Sequence, residues 1–558
     1  MGCTSSSQKT SNQPNNKPTN QPTTLSSLEV FFEKLENNNN LLKCNINTLT
    51  WTKFASLKAK IGKEPLASAI AVFPKKCPNP LVVKELGFEF LLNEDLKNEV
   101  GDELQNLLFG GTVGIVNLEE FSDPLHYYDN IEDAKQMVTG VFKNCLPTQK
   151  VTWSDNAWQT DASLTDLAFC GLGQYYLRAC DAKDIKIFGS DGDYEYKIDL
   201  LSWAKYDVRK EFENYGITAY FDEKRNPKLF VHNGKIVRKS NPYYRHTAFI
   251  FRSALITAIT IKEHLVMVHW IVSNGALVSS MKFLGEDHPI RRLLRCHTYG
   301  TSAVNLSSTT VLAPYEGLAG RTFGFTKSSW STMIADQIAQ CKYQSIEEQY
   351  AESKLPLDEL QSFPYYKDGI DFWNINKQYV TTFIKMFYAD DEEVISDAEL
   401  VSYWNGLRTY HNSSNYNLGA LTKENLIKHL TYVIFSVTGQ HTYLGSVCEY
   451  LLSPEALMPK VRKGVNVVQA DIQTHLQALC IISLTTGKMP MLITDWSYLY
   501  DYKELKRNQI KYDAVLANLK QWQHNLTIQS ELIQTRNATK TKPFYAFSPV
   551  DMESSVSV

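Results

Sequence analysis

Two histidines five positions apart are the first residues whose type and spacing suggest chemistry. His264 and His269 lie in the apolar segment Glu263-His264-Leu-Val-Met-Val-His269-Trp270. On an ideal α-helix their side chains would point about 140° apart, too far to bind one metal ion. One π-type turn underwinds the helix and brings positions i and i+5 towards one face. A shared metal therefore predicts a π-bulge between them; the alternative is two unrelated histidines on a half-buried helix.

Further groups of residues extend this pattern in a fixed order along the chain. They are His288-Pro289, His297 and Val304-Asn305 after the histidine pair, Phe363-Pro-Tyr-Tyr-Lys-Asp-Gly369 farther on, Gln440-His441 after an apolar run, and Ser555-Val556-Ser557-Val558 at the end of the sequence. Together with the histidine pair, they resemble the lipoxygenase family. Members of that family carry the same landmarks in the same order.

The resemblance implies both a fold and a metal site. Lipoxygenase catalytic domains are mainly α-helical bundles around a long core helix, with a small β excursion expected here. The iron ligands would be His264, His269, His441 and the carboxylate of Val558. Three imidazoles and a carboxylate suit non-haem Fe²⁺/Fe³⁺ with open positions, and manganese would suit them too. A closed structural zinc site is the alternative.

Several positions depart from the family pattern or concern the substrate. Gly445 stands where most members have an asparagine that is a weak ligand, so a water would have to replace it. Ser308 occupies the position that, in the family, helps to decide where oxygen attacks the substrate. Val304 is assigned to the same substrate site. Leu265 and Leu312 match apolar residues that grip the substrate, although ordinary core positions would explain both leucines equally well.

The implied reaction inserts O₂ into polyunsaturated fatty acids to give lipid hydroperoxides. In the family, an Fe(III)-hydroxide takes a hydrogen atom from the substrate, so no side-chain acid or base is required. Two alternatives stay open. The same site could isomerise fatty-acid hydroperoxides to epoxyalcohols, which Gly445 makes plausible, or the protein could bind lipid without turnover.

Composition excludes several other classes of protein. The 558 residues carry a formal net charge of −3, which predicts no nucleic-acid partner. Ten cysteines without a CxxC pair do not suggest a disulfide framework, so we expect a reducing, cytoplasmic compartment. No uninterrupted apolar stretch reaches the roughly 18 residues of a membrane span.

The chain is predicted to consist of a tail and one large domain. Residues 1–25 are polar and predict a disordered tail that opens Met1-Gly2-Cys3, a pattern typical of myristoylation at Gly2 with Cys3 as a candidate palmitoylation site. Two acyl chains would give peripheral membrane association. Residues 26–558 predict the catalytic domain, with strand and turn signals at 185–240 and no room for the family's N-terminal β-barrel. The sequence does not predict substrate chain length, regiospecificity, chirality or oligomeric state.

Overall fold

A computed structural model describes residues 160–181, 184, 195–309, 313, 315, 322–412, 414–445, 459–464, 490–540 and 543–556, together with the strand pair at 80–83 and 88–91. The predicted tail at 1–25, the acylation sites Gly2 and Cys3, and the residues Leu312, Ser557 and Val558 lie outside these ranges.

The described strands form two antiparallel sheets. The strands are β1 (Pro80–Val83), β2 (Phe88–Leu91), β3 (Leu177–Ala179), β4 (Tyr196–Asp199), β5 (Ile217–Phe221), β6 (Pro227–His232) and β7 (Lys235–Arg238). β1 pairs with β2, and β3 to β7 form a meander in which each strand pairs with the next. Asn233 and Gly234 join β6 to β7 with φ of 50° and 69°, as a two-residue type I′ turn requires. The predicted β excursion is confirmed, but the sheet begins earlier than expected, at Leu177.

Helices make up most of the described chain. The α-helices are α1 (Asp161–Phe169), α2 (Tyr244–Ala258), α3 (Asn274–Phe283), α4 (Pro289–Leu294), α5 (Thr301–Ser307), α6 (Lys327–Gln340), α7 (Ile346–Ala351), α8 (Leu357–Leu360), α9 (Pro364–Phe387), α10 (Asp391–Ser396), α11 (Ala398–Tyr410), α12 (Lys423–Phe435), α13 (His441–Gly445), α14 (Lys503–Lys506) and α15 (Gln509–Asn537). Two π-helices span Ile259–Ser273 and Ser436–Gln440. Short 3₁₀ segments span Leu172–Tyr176, Leu201–Lys205, Arg295–His297, Ser497–Tyr500 and Pro549–Asp551. The mainly α-helical class is confirmed.

One continuous helix runs through the middle of the fold. α2, the first π-helix and α3 follow one another without a break from Tyr244 to Phe283. Its length and composition alone would allow it to cross a membrane, but 89% of its most apolar window is buried inside the protein. A helix that is apolar on all sides and covered on all sides is a core helix. This is the long core helix that the sequence predicted.

The other elements pack around this core helix. β5 and β6 lie against α2, α6 lies against the first π-helix, and α11 lies against α3. α9 packs against both α12 and α15, and a buried ion pair joins α9 to α15. In this pair the Arg536 guanidinium donates to both carboxylate oxygens of Asp368, whose side chain is 3% exposed. The pair fixes the last long helix, from which the chain continues towards the interior.

We expect Asp368→Asn to lower the free energy of unfolding by about 3 kcal/mol, because it leaves the Arg536 charge without its carboxylate partner. Denaturant titration measures the loss. The control is Lys342→Gln, which removes an ion pair to Glu352 whose side chains are 54% and 46% exposed. The control should cost at most about 0.5 kcal/mol. Equal losses in the two variants would contradict the structural role of the buried pair.

Candidate metal centre

The first two histidines of the predicted site lie on the first π-helix. The Nε2 atoms of His264 and His269 are 3.4 Å apart, and their ring centroids are 4.8 Å apart. The wider turn of a π-helix brings i and i+5 together, as the spacing required. The predicted π-bulge is confirmed, but the π-helix has 15 residues and is therefore more than one turn.

The third histidine follows the second π-helix directly. His441 is the first residue of α13, and its Nε2 lies 3.2 Å from Nε2 of His269. Gly439 lies in this π-helix, where an added Cβ would be 2.7 Å from Phe547 and 2.8 Å from Phe372. Glycine at this position therefore lets the two rings pack onto the backbone beside the third ligand. The sequence did not predict this second π-helix.

The three imidazoles converge on one point. Their ligand atoms all lie within 4.8 Å of one another, and His264, His269 and His441 are 6%, 2% and 5% exposed. A metal–nitrogen bond of about 2.1 Å places two ligating nitrogens about 3.0–3.4 Å apart for angles between octahedral and tetrahedral. The distances from His269 to His441 and to His264, 3.2 and 3.4 Å, fit that range. Among the described residues, no other group of histidine, cysteine, aspartate or glutamate has such geometry.

Burial keeps the His264 imidazole in the form that binds a metal. Burial lowers the pKa of His264 well below its usual value, and the neighbouring His441 and His269 lower it further. A neutral imidazole has one nitrogen with a free lone pair, which is the form a metal ion needs. The donor set therefore fits a divalent iron, manganese or zinc ion, and the three nitrogens do not distinguish among these metals.

Asn305 fixes the orientation of His269. His269 Nδ1 donates to Asn305 Oδ1 at 3.0 Å, and Asn305 Nδ2 donates to the His269 carbonyl at 2.8 Å. Because Nδ1 carries the proton, the lone pair is on Nε2, which faces the other two histidines. The Val304-Asn305 step was recognised in the sequence, but no role was predicted for Asn305.

His297 holds the C-terminal segment in the interior. Its Nδ1 donates to the Ser554 carbonyl at 3.0 Å, and Ser555 Oγ donates to the Tyr299 carbonyl at 2.7 Å. Burial lowers the pKa of His297 to about 4, so the ring is a neutral donor at physiological pH. Val556 is fully buried two residues before Val558. The ligand role of the Val558 carboxylate stays a prediction, because that residue lies outside the described part of the chain.

The remaining predicted site residues are placed as follows. An added Cβ at Gly445 would lie 3.8 Å from His264 Nε2, so this position faces the ligands. Leu265 is buried beside His264, and Val304 is half-buried. Ser308 Oγ accepts from Trp270 Nε1 at 3.0 Å and donates to the Asn305 carbonyl at 2.8 Å. The substrate roles of Leu265, Leu312, Ser308 and Val304 stay predictions.

A cavity of about 140 Å³ lies next to Glu263 and Gln440, the residues that directly precede His264 and His441. Its walls are mostly polar and include Tyr175, Tyr176, Arg178, Glu263 and Gln440. Cavities that hold organic ligands usually measure about 300–1,000 Å³ and are mainly apolar. This cavity is therefore too small and too polar to hold a fatty-acid chain.

Comparison with known proteins bears on the same region. Residues 235–447, which include all three histidines, match the family model Lipoxygenase. The region around the three histidines is therefore similar in sequence to the lipoxygenase family. The four cysteines in the described part of the chain, Cys170, Cys180, Cys296 and Cys341, are free thiols.

Individual relatives are distant. The epidermal-type polyunsaturated fatty acid (12S)/(13S)-lipoxygenase of Rattus norvegicus is 23% identical over 316 residues, which are 55% of this chain and 48% of that protein. The linoleate 9/13-lipoxygenase of Pseudomonas aeruginosa is 22% identical over 313 residues, which are 53% and 45%. The chain thus spans about half the length of the curated relatives it matches.

Solved structures extend the similarity to nearly the whole fold. A fungal lipoxygenase from Fusarium graminearum aligns with a TM-score of 0.66 at 13% identity and covers 98% of both chains. A calcium-dependent 11R-lipoxygenase aligns with a TM-score of 0.67 at 17% identity and covers 90% of this chain and 80% of that one. At such identities the likeness establishes the lipoxygenase fold alone.

We expect Asn305→Ala to weaken metal binding about 10- to 100-fold, because His269 loses the acceptor that fixes its tautomer and ring orientation. Competition with a chelator measures the dissociation constant, and thermal melting checks the fold. Asn376→Ala is the matched control, since the fully buried Asn376 binds Trp522 and the Phe372 carbonyl, neither of which is a metal ligand. Equal metal affinity in both variants would show that Asn305 does not position His269.

Proposed function

We propose that this protein is an iron-dependent dioxygenase that inserts O₂ into polyunsaturated fatty acids. The observation that carries the proposal is the convergence of three buried imidazole nitrogens in a lipoxygenase fold. The relatives support the substrate class, because the rat and Pseudomonas proteins are named for polyunsaturated fatty acid and linoleate. A similar structure, with a TM-score of 0.63 and 16% identity, was determined in complex with arachidonate.

In this proposal the chain holds the metal and controls its surroundings. His264, His269 and His441 bind the iron, with the Val558 carboxylate as the fourth ligand. Bound iron supplies the one-electron oxidation by which a hydrogen atom leaves the substrate. The apolar core helix excludes water from the reacting carbon, and Asn305 keeps the His269 ring in place. Leu265 and Leu312 are proposed to position the fatty-acid chain.

The decisive experiment measures metal and turnover on the same preparation. We expect equimolar iron, and we expect conjugated dienes to form from linoleate or arachidonate as O₂ is consumed, because bound iron would supply the one-electron oxidation needed to remove a hydrogen atom from the CH₂ group between two double bonds. Ultraviolet absorbance, an oxygen electrode and metal analysis give the three readings. His441→Ala should lose both iron and activity. Purified protein without iron or turnover would favour the lipid-binding alternative instead.

Gly445 favours a second candidate function at the same site. A side chain at this position would point at His264 Nε2 from 3.8 Å, and glycine leaves that space open. An additional open position beside the metal would accommodate a hydroperoxide group. The second candidate is therefore the isomerisation of fatty-acid hydroperoxides to epoxyalcohols.

We expect Gly445→Asn to shift activity from hydroperoxide consumption towards oxygenation, because its carboxamide would fill the position that a hydroperoxide needs. The ratio of added hydroperoxide consumed to conjugated diene formed should fall several-fold, as measured by ultraviolet absorbance and product chromatography. Gly445→Ala is the control, since a methyl group adds bulk but no ligand atom. If the alanine variant changes the ratio as much as the asparagine variant, the effect is steric and the argument from coordination fails.

A further inference from the structure

A buried carboxylate lies directly beside the first metal ligand. Glu263 precedes His264 on the apolar core helix and is 5% exposed. Its Oε2 accepts from the Tyr175 hydroxyl at 2.7 Å, and its Oε1 accepts from the Tyr176 hydroxyl at 2.7 Å. Lys262 Nζ lies 3.2 Å from the same Oε1. Burying a carboxylate is unfavourable unless several donors satisfy it. The two tyrosine hydroxyls and the lysine ammonium therefore fix the Glu263 side chain in one position.

The two tyrosines belong to a short segment that also reaches the third ligand. The segment Gly171–Tyr176, called here the brace, is a 3₁₀ turn with its preceding glycine. The Tyr443 hydroxyl donates to the Gly171 carbonyl at 2.9 Å, and Tyr443 lies two residues after His441. One end of the brace is therefore bonded beside His264 and the other beside His441.

The brace is itself firmly held. An added Cβ at Gly173 would lie 2.7 Å from Ala168 Cα and 2.8 Å from the Leu167 carbonyl, so the backbone packs tightly on the end of α1. Gln174 accepts a hydrogen bond from the Tyr365 amide at the start of α9 at 3.0 Å. Because the brace is held by two other helices, its own position is fixed, and it can therefore hold in place the groups that it contacts.

The hydroxyls of the brace remain donors over the whole physiological pH range. Burial raises the pKa of both Tyr175 and Tyr176 well above the usual value, and the negative charge of Glu263 raises it further. Both hydroxyls therefore keep their protons and stay bonded to the carboxylate.

We propose that the brace positions the two ligand-bearing helices and sets the separation between His264 and His441. His264 lies within a π-helix and His441 follows another one directly, and π-helices are rare segments found mostly at functional sites. Glu263, Tyr175, Tyr176 and Tyr443 are positioning residues in this arrangement, since they act through the histidines. The inference rests on the proposed metal site.

The test removes the hydroxyls and measures metal binding. Tyr175→Phe/Tyr176→Phe keeps both rings and deletes both bonds to Glu263. We expect the dissociation constant for cobalt(II) to rise about 10- to 100-fold, as is usual when groups that orient a ligand are lost. We also expect the visible bands of the bound cobalt to shift, because the nitrogens change their angles. Tyr220→Phe is the matched control, since Tyr220 is a buried tyrosine that donates to the buried Asp184 at 2.9 Å, away from the three histidines.

A second variant approaches the brace from its other end. Tyr443→Phe should also weaken cobalt binding and shift the bands, and it keeps the test decisive if the double variant does not fold. Wild-type protein that binds no cobalt would overturn the proposed function and the brace together. If the folded brace variants bind cobalt as tightly as wild-type protein does and show the same visible bands, the proposed role of the brace is wrong, whereas the proposed function still stands.

Discussion

The structure depends on bringing three imidazoles together inside an apolar core, with Nε2 of His269 3.4 Å from that of His264 and 3.2 Å from that of His441. Nitrogens that close repel one another unless a proton or a cation lies between them, and burial removes the water that would otherwise solvate them. A bound metal ion relieves this repulsion. An α-helix cannot present positions i and i+5 on one face, so the segment with His264 and His269 adopts the rarer π-helix, and a second π-helix directly precedes His441. Local strain of this kind persists where the surrounding structure enforces it.

The contacts that hold the second π-helix in place come from segments that are distant in sequence. Phe547, near the end of the chain, stacks on Phe435 and packs against Gly439, so the C-terminal segment covers the second π-helix. His297 holds the same segment through the Ser554 carbonyl. The C-terminal segment therefore contributes to the placement of His441, whatever its last residue ligates. The placement of His441 and the docking of the chain end therefore depend on the same packing.

The parts of the site that could be predicted from the sequence are those that follow from residue spacing or from motifs in a fixed order. The π-turn between His264 and His269 could be predicted because five residues do not fit the α-helical repeat. His441 followed from the resemblance, as did the helical class. The second π-helix, the partner of Asn305 and the tyrosine contacts with Glu263 could not be predicted. Tyr175 is 88 positions from Glu263, and no local propensity encodes a contact over that separation.

Similarity of fold does not by itself decide which reaction a site performs. At 13% identity to the fungal lipoxygenase, the fold is retained along nearly the whole chain. Retention of a fold does not fix the reaction, because reactivity depends on the groups placed around the site. In this chain two such places stand out: the open space at Gly445 on the ligand side, and the Glu263 carboxylate behind His264. In the proposed function, the first would change what can approach the metal, and the second would change how firmly the His264 imidazole is held. If the proposed function holds, the choice between oxygenation and hydroperoxide isomerisation would rest on these local features rather than on the helical bundle.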